Sequence, residues 1–134
     1  MARRDELNEY DLGLPVPIGP LEERRAQVPA RVWERLQQVK EGAVAVLGAR
    51  LREIRLFGSY ARGDWDEESD VDVLILTEDL EAGERERLIG VTVSVSCAGG
   101  PWVSPLLLTV ERLEELRADE KIIAKDLDRE GITV

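Results

Sequence analysis

The chain has 134 residues, 43% hydrophobic and 34% charged, which suits one soluble domain with a core of its own. Its 28 acidic against 18 basic residues give a net charge of −10, which excludes a broad basic face of the kind that neutralises nucleic-acid phosphates. It has no histidine and a single cysteine, Cys97, so a Ser-His-Asp triad, a histidine zinc site and an intrachain disulfide are excluded, and acid–base or metal chemistry must rest on carboxylates.

Residues 1–28 are polar and then proline-rich. Pro15, Pro17 and Pro20 fall close together, which disfavours a helix and predicts an extended N-terminal arm ahead of one domain over 29–134. Over 30–50, Val32, Leu36, Val39, Ala43, Val46, Leu47 and Leu51 recur three or four apart, the spacing of an amphipathic helix, with Pro29 at its start. Residues 53–57 alternate polar and apolar as a strand does, Gly58-Ser59 ends it, and 60–63 make a short helical turn. An acidic loop over 64–69 leads to the best strand signal, 70–77, whose apolar run Val73–Leu76 predicts a central strand buried on both faces.

Residues 81–89 are charged and helix-prone. The segment 91–96 has strand propensity but also fits the buried end of that helix, and helix is preferred. Residues 102–109 read as a strand that Pro105 places at an edge or bulge. Helices over 110–117 and 119–130 follow, closed by Gly131 and a short terminal strand. The expected fold is α/β (α+β), a small mixed sheet of three to five strands with helices packed on one face. With no long apolar span and no signal-like N-terminus, the expected location is cytoplasmic, with no membrane contact.

Two features carry chemistry. A strand that ends in Gly58-Ser59 and opens a helical turn exposes backbone N–H groups. Glycine lets the backbone approach a phosphate, and the serine adds a hydroxyl donor. Alone, Gly-Ser is an ordinary turn signal. Asp70 and Asp72 are residues i and i+2 of a strand, so their carboxylates project to one face. Two such anions repel unless a cation lies between them, and magnesium binds through one or two carboxylates plus substrate phosphates. Alone, this pair is an ordinary solvated acidic strand end.

Together, Leu56-Phe57-Gly58-Ser59-Tyr60-Ala61-Arg62-Gly63 followed by Ser69-Asp70-Val71-Asp72-Val73-Leu74-Ile75 resembles the DNA polymerase beta-like nucleotidyltransferase superfamily, in its minimal prokaryotic members. The resemblance implies that Gly58 and Ser59 bind nucleotide phosphates. It implies that Asp70 and Asp72 are catalytic and hold Mg2+ (or Mn2+). Arg62 is a lesser phosphate candidate, weighed against a surface salt bridge to the acidic loop. The implied reaction moves a nucleoside monophosphate from a nucleoside triphosphate to a hydroxyl of a protein or small molecule. Minimal members pair with a small helical protein, often a toxin, so the implied role is that of an antitoxin, with a homo-oligomer also allowed.

Active members of that family carry a third carboxylate on the next core strand, and here 102–109 has none. Ser104 falls at the third position, and Glu111 is the first acid afterwards. Serine is a poor base without an activator. The alternative is therefore a nucleotide- or partner-binding module that does not turn over. Trp33 reads as core or interface, Trp65 as packing rather than base stacking, and Cys97 as a small apolar residue.

Overall fold

Two prolines start helices instead of preventing them. In the computed structural model, which describes residues 18–134, Pro20 is the N-cap of α1 (Leu21–Gln27) and Pro29 that of α2 (Ala30–Leu47). Both sit at φ −60° in extended backbone, where a missing N–H costs nothing because the first helical N–H groups have no partner inside the helix. Residues 21–27 are thus helical where the sequence predicts an extended arm. No proline falls between Pro20 and Pro29 to interrupt them. The rest of the predicted arm, 1–17, lies outside the described residues.

α1 is docked by a buried arginine. Arg24 Nη1 donates to the carbonyls of Ala61 and Glu130, each at 2.8 Å, and its Nε donates to the Gly19 carbonyl at 2.8 Å. α2 buries Val32, Leu36, Val39, Ala43 and Leu47, the periodic apolar positions of its sequence. Truncating one of them, as in Leu36→Ala, costs about 2–5 kcal/mol in lost burial and residual cavity.

A 3-10 turn at Gly48–Arg50 leads into β1 (Leu51–Phe57), then α3 (Ser59–Arg62), β2 (Val71–Thr77), α4 (Glu84–Cys97), β3 (Val103–Thr109), α5 (Val110–Ala118), α6 (Ile122–Glu130) and β4 (Ile132–Thr133). The sheet order is β3-β2-β1-β4. β1 is antiparallel to both β2 and β4, whereas β2 and β3 are parallel, joined by the α4 crossover. Pro105 lies in β3, an edge strand, as its missing N–H requires.

Strand alternation divides the core in two. Ile54, Leu56, Val71, Val73, Ile75, Val103 and Leu107 pack with α2 and α4 on one face. Leu74, Leu76 and Leu108 pack with Leu113, Leu116, Ala124 and Leu127 of α5 and α6 on the other. Helices on one face are therefore only part of the architecture. β2 is apolar on both sides, so both faces need a cover. Residues 91–96 are helical, as preferred from sequence. Gly42 lets α2 approach α4 so closely that a side chain there would collide with Val91.

Candidate active site at the start of β2

The turn after β1 depends on one glycine. Gly58 has φ +78° and ψ −157°, a conformation that glycine adopts and side-chain-bearing residues avoid. A Cβ added there would lie 3.0 Å from Asp72 Cγ and closer still to its Oδ2. The sheet register accounts for this, because Phe57 pairs with Asp72 across β1 and β2. From Gly58 the chain turns into α3, with Ala61 N and Arg62 N donating to the Gly58 carbonyl at 3.0 and 2.9 Å. Tyr60 is buried under Trp65, ring centroids 5.2 Å apart, and the Arg31 guanidinium lies 5.6 Å from the Trp65 ring. Trp65 is thus a packing residue within the acidic loop, and Trp33 likewise carries Arg25 over its ring at 4.8 Å.

Asp70 is exposed at the entry to β2, and Asp72 is half-buried one residue inside it. Burial, and then the neighbouring Asp70 charge, push the Asp72 carboxyl above the usual carboxylate range; Arg62 opposes this and Glu130 adds to it. Asp72 pairs with Ser104 on parallel β3, so Ser104 occupies the same sheet face beside it, at the position predicted for the third ligand. Glu111 is exposed in the first turn of α5, beyond the opposite end of β3 from Ser104. The fold thus brings together Gly58, Ser59, Arg62, Asp70, Asp72 and Ser104, and leaves Glu111 out.

Glu130, the last residue of α6, was not singled out by sequence. It is 2% exposed. Its Oε1 accepts from the Gly58 N–H at 2.8 Å and from Arg62 Nη1 at 3.1 Å. An acid in a charged terminal helix ordinarily reads as a solvated face. The available signal was helical spacing, since Glu130 lies one turn past Leu127 on the apolar stripe that includes Ala124 and Leu127. Arg62 meets the acidic loop as expected, donating to Asp64 at 3.2 Å, but it also reaches inward to Glu130.

Hard carboxylate donors suit Mg2+ or Mn2+. Among the described residues no group of three or more His, Cys, Asp or Glu could hold a metal unaided. The pair Asp70 and Asp72, whose mutual repulsion Arg62 only partly offsets, with a side-chain-free approach at Gly58, fits an ion that takes its remaining ligands from phosphate and water.

Known proteins are similar to this chain in sequence and fold. The family model for the nucleotidyltransferase domain matches residues 30–131. A predicted protein adenylyltransferase of Methanocaldococcus jannaschii, MJ0141, is 39% identical over 77 residues, covering 57% of this chain and 78% of its own. The crystal structure of a predicted nucleotidyltransferase from Sulfolobus solfataricus superposes with a TM-score of 0.50 at 18% identity, covering 87% of this chain and 90% of that one. A complex of a tri-AMPylated HEPN toxin of Shewanella oneidensis with MNT antitoxin superposes more loosely, with a TM-score of 0.47 at 17% identity over 76% of this chain and 70% of that one. On the family match, which spans both the glycine turn and the aspartate pair, the chain belongs to the nucleotidyltransferase domain family.

Proposed function

We propose that this nucleotidyltransferase uses a divalent metal to move a nucleoside monophosphate from a nucleoside triphosphate to a hydroxyl of a partner protein. The observation that carries the reading is the abutment of Gly58 on Asp72, which puts a side-chain-free stretch of backbone against one carboxylate of the pair. Gly58, whose own N–H is given to Glu130, admits the phosphates by its missing side chain, Ser59 offers its hydroxyl, Arg62 lies at the edge of the turn, and Asp70 and Asp72 hold Mg2+ or Mn2+. A divalent ion held by the two aspartates would supply charge neutralisation of the triphosphate and make the α-phosphorus a better electrophile. In the transfer, the acceptor oxygen bonds to the α-phosphorus, the bond from that phosphorus to pyrophosphate breaks, pyrophosphate leaves, and the hydroxyl proton passes to water. The relative named as a protein adenylyltransferase supports ATP as donor and a protein as acceptor. The pairing of such chains with a helical toxin, implied by the sequence resemblance, names the candidate acceptor, with this chain as the antitoxin.

One observation favours a second reading. The acceptor hydroxyl must give up a proton, and the residue beside Asp72 on β3 is Ser104 instead of a carboxylate. Without that base the same site binds nucleotide and recognises a partner without transfer. Intact mass measurement of the product of an adjacent gene, after incubation with this protein, magnesium and each nucleoside triphosphate, decides between the two. A gain of one or more nucleoside monophosphate units supports the transferase. An unmodified partner with measurable nucleotide binding supports the recognition module.

A further inference from the structure

We propose that Glu130 is the positioning residue of the phosphate turn: its carboxylate fixes Gly58 and holds the Arg62 guanidinium where a bound triphosphate would meet it. This rests on the reading of the site given above. A carboxylate that is 2% exposed must find charged or N–H partners in the fold. Glu130 finds both in the candidate site. A single oxygen, Oε1, accepts the Gly58 N–H at 2.8 Å and Arg62 Nη1 at 3.1 Å. The first bond holds the glycine that closes on Asp72 in its positive-φ conformation. The second pins the cation of α3.

The backbone of Glu130 is itself held. Arg24 Nη1 donates to the Glu130 carbonyl and to the Ala61 carbonyl of α3, each at 2.8 Å. Side chains from α1 and α6 thus both hold α3, although α1 precedes the residues matched to the family. This hold has a consequence for charge. Arg62 stands among three acids: it is paired with Asp64 and Glu130, and its charge also reaches Asp72. With the Glu130 charge removed, the guanidinium is free to turn onto Asp72 and compete with the ligands that carboxylate should hold.

The test is a double-mutant cycle on the full chain, reading the dissociation constants of the four common nucleoside triphosphates with magnesium, alongside the melting temperature. Glu130→Gln keeps an acceptor for the Gly58 N–H and removes the charge that faces Arg62. It is expected to weaken binding about tenfold in a protein still folded at the assay temperature, the scale of a charge-assisted hydrogen bond. Arg62→Gln alone is expected to weaken binding similarly, and the double variant to be no weaker than Arg62→Gln alone. Affinity of Glu130→Gln within about twofold of the parent, or full additivity in the double variant, overturns the proposal. A parent protein that binds none of the four refutes the nucleotide site itself, and this inference with it. Should Glu130→Gln fail to fold, Arg62→Gln carries the test through the Gly58 amide resonance, which must shift together with a loss of affinity. An unmoved resonance or an unchanged affinity overturns the proposal.

Discussion

Gly58 and Asp72 meet at the junction of β1 and β2, so closely that the glycine has no room for a side chain. Phe57 is the register partner of Asp72, and a Cβ on Gly58 would fall 3.0 Å from Asp72 Cγ. Gly58→Val should therefore act twice. A β-branched residue at φ +78° costs about 1–3 kcal/mol in backbone strain before any clash, so the melting temperature falls. The added methyls also fill the approach to the aspartate. Nucleotide binding by folded Gly58→Val, measured by calorimetry below its melting temperature, is expected to be lost; normal affinity would remove the turn from the site.

Asp70→Asn with Asp72→Asn separates function from fold in the opposite way. Burial and the Asp70 charge disfavour ionised Asp72, so neutralising the pair relieves repulsion. The expected melting temperature is equal to or above that of the parent, with magnesium-dependent nucleotide binding abolished. A large loss of stability would mean that the pair is structural.

Ser104→Asp restores a carboxylate at the position that pairs with Asp72. Without metal, three clustered acids should lower the melting temperature. Added Mg2+ or Mn2+ should raise it by more than in the parent, because an ion that binds only the folded state stabilises it by mass action. Transfer activity should rise in parallel. Equal metal responses in the two proteins would show that residue 104 does not face the ion.

Far from this site, Glu84 predicts the acid limb of stability. Its hydrogen bonds from Arg50, and then from the Glu81 N–H, draw its carboxyl down from 4.5 to about 2. A carboxyl whose folded value is depressed stabilises the fold above its unfolded value and loses that contribution as pH falls toward the folded one. Urea unfolding of the parent should therefore weaken progressively between about pH 4.5 and 2. Glu84→Gln should be less stable at neutral pH and flatter across that window; parallel curves would remove the Arg50–Glu84 pair as the cause.

Local signals made most of the fold legible. The periodicity of α2, the apolar run of β2 and Pro105 on an edge strand each translate directly into structure. The place of Ser104 beside Asp72 was legible only through the family resemblance, because the register of β2 on β3 is itself a long-range pairing. What the sequence concealed depends on long-range pairing. Pro20 disfavours a helix before it but caps α1 after it. Arg24 and Glu130 look like ordinary surface charges until the fold brings α1, α3 and α6 together. The cover on the second sheet face arises in the same way, because α5 and α6 show their apolar stripes without showing where they dock.

The most direct measurement uses two labels. The protein is incubated with magnesium, the product of an adjacent gene, and a nucleoside triphosphate labelled on either the α- or the γ-phosphate. Nucleotidyl transfer predicts that the α-label becomes fixed to the partner protein, that the γ-label is released in pyrophosphate, and that the Asp70→Asn, Asp72→Asn variant fixes neither. Fixation of the γ-label, or α-label fixation that survives loss of both aspartates, would contradict a nucleotidyltransferase centred on this pair.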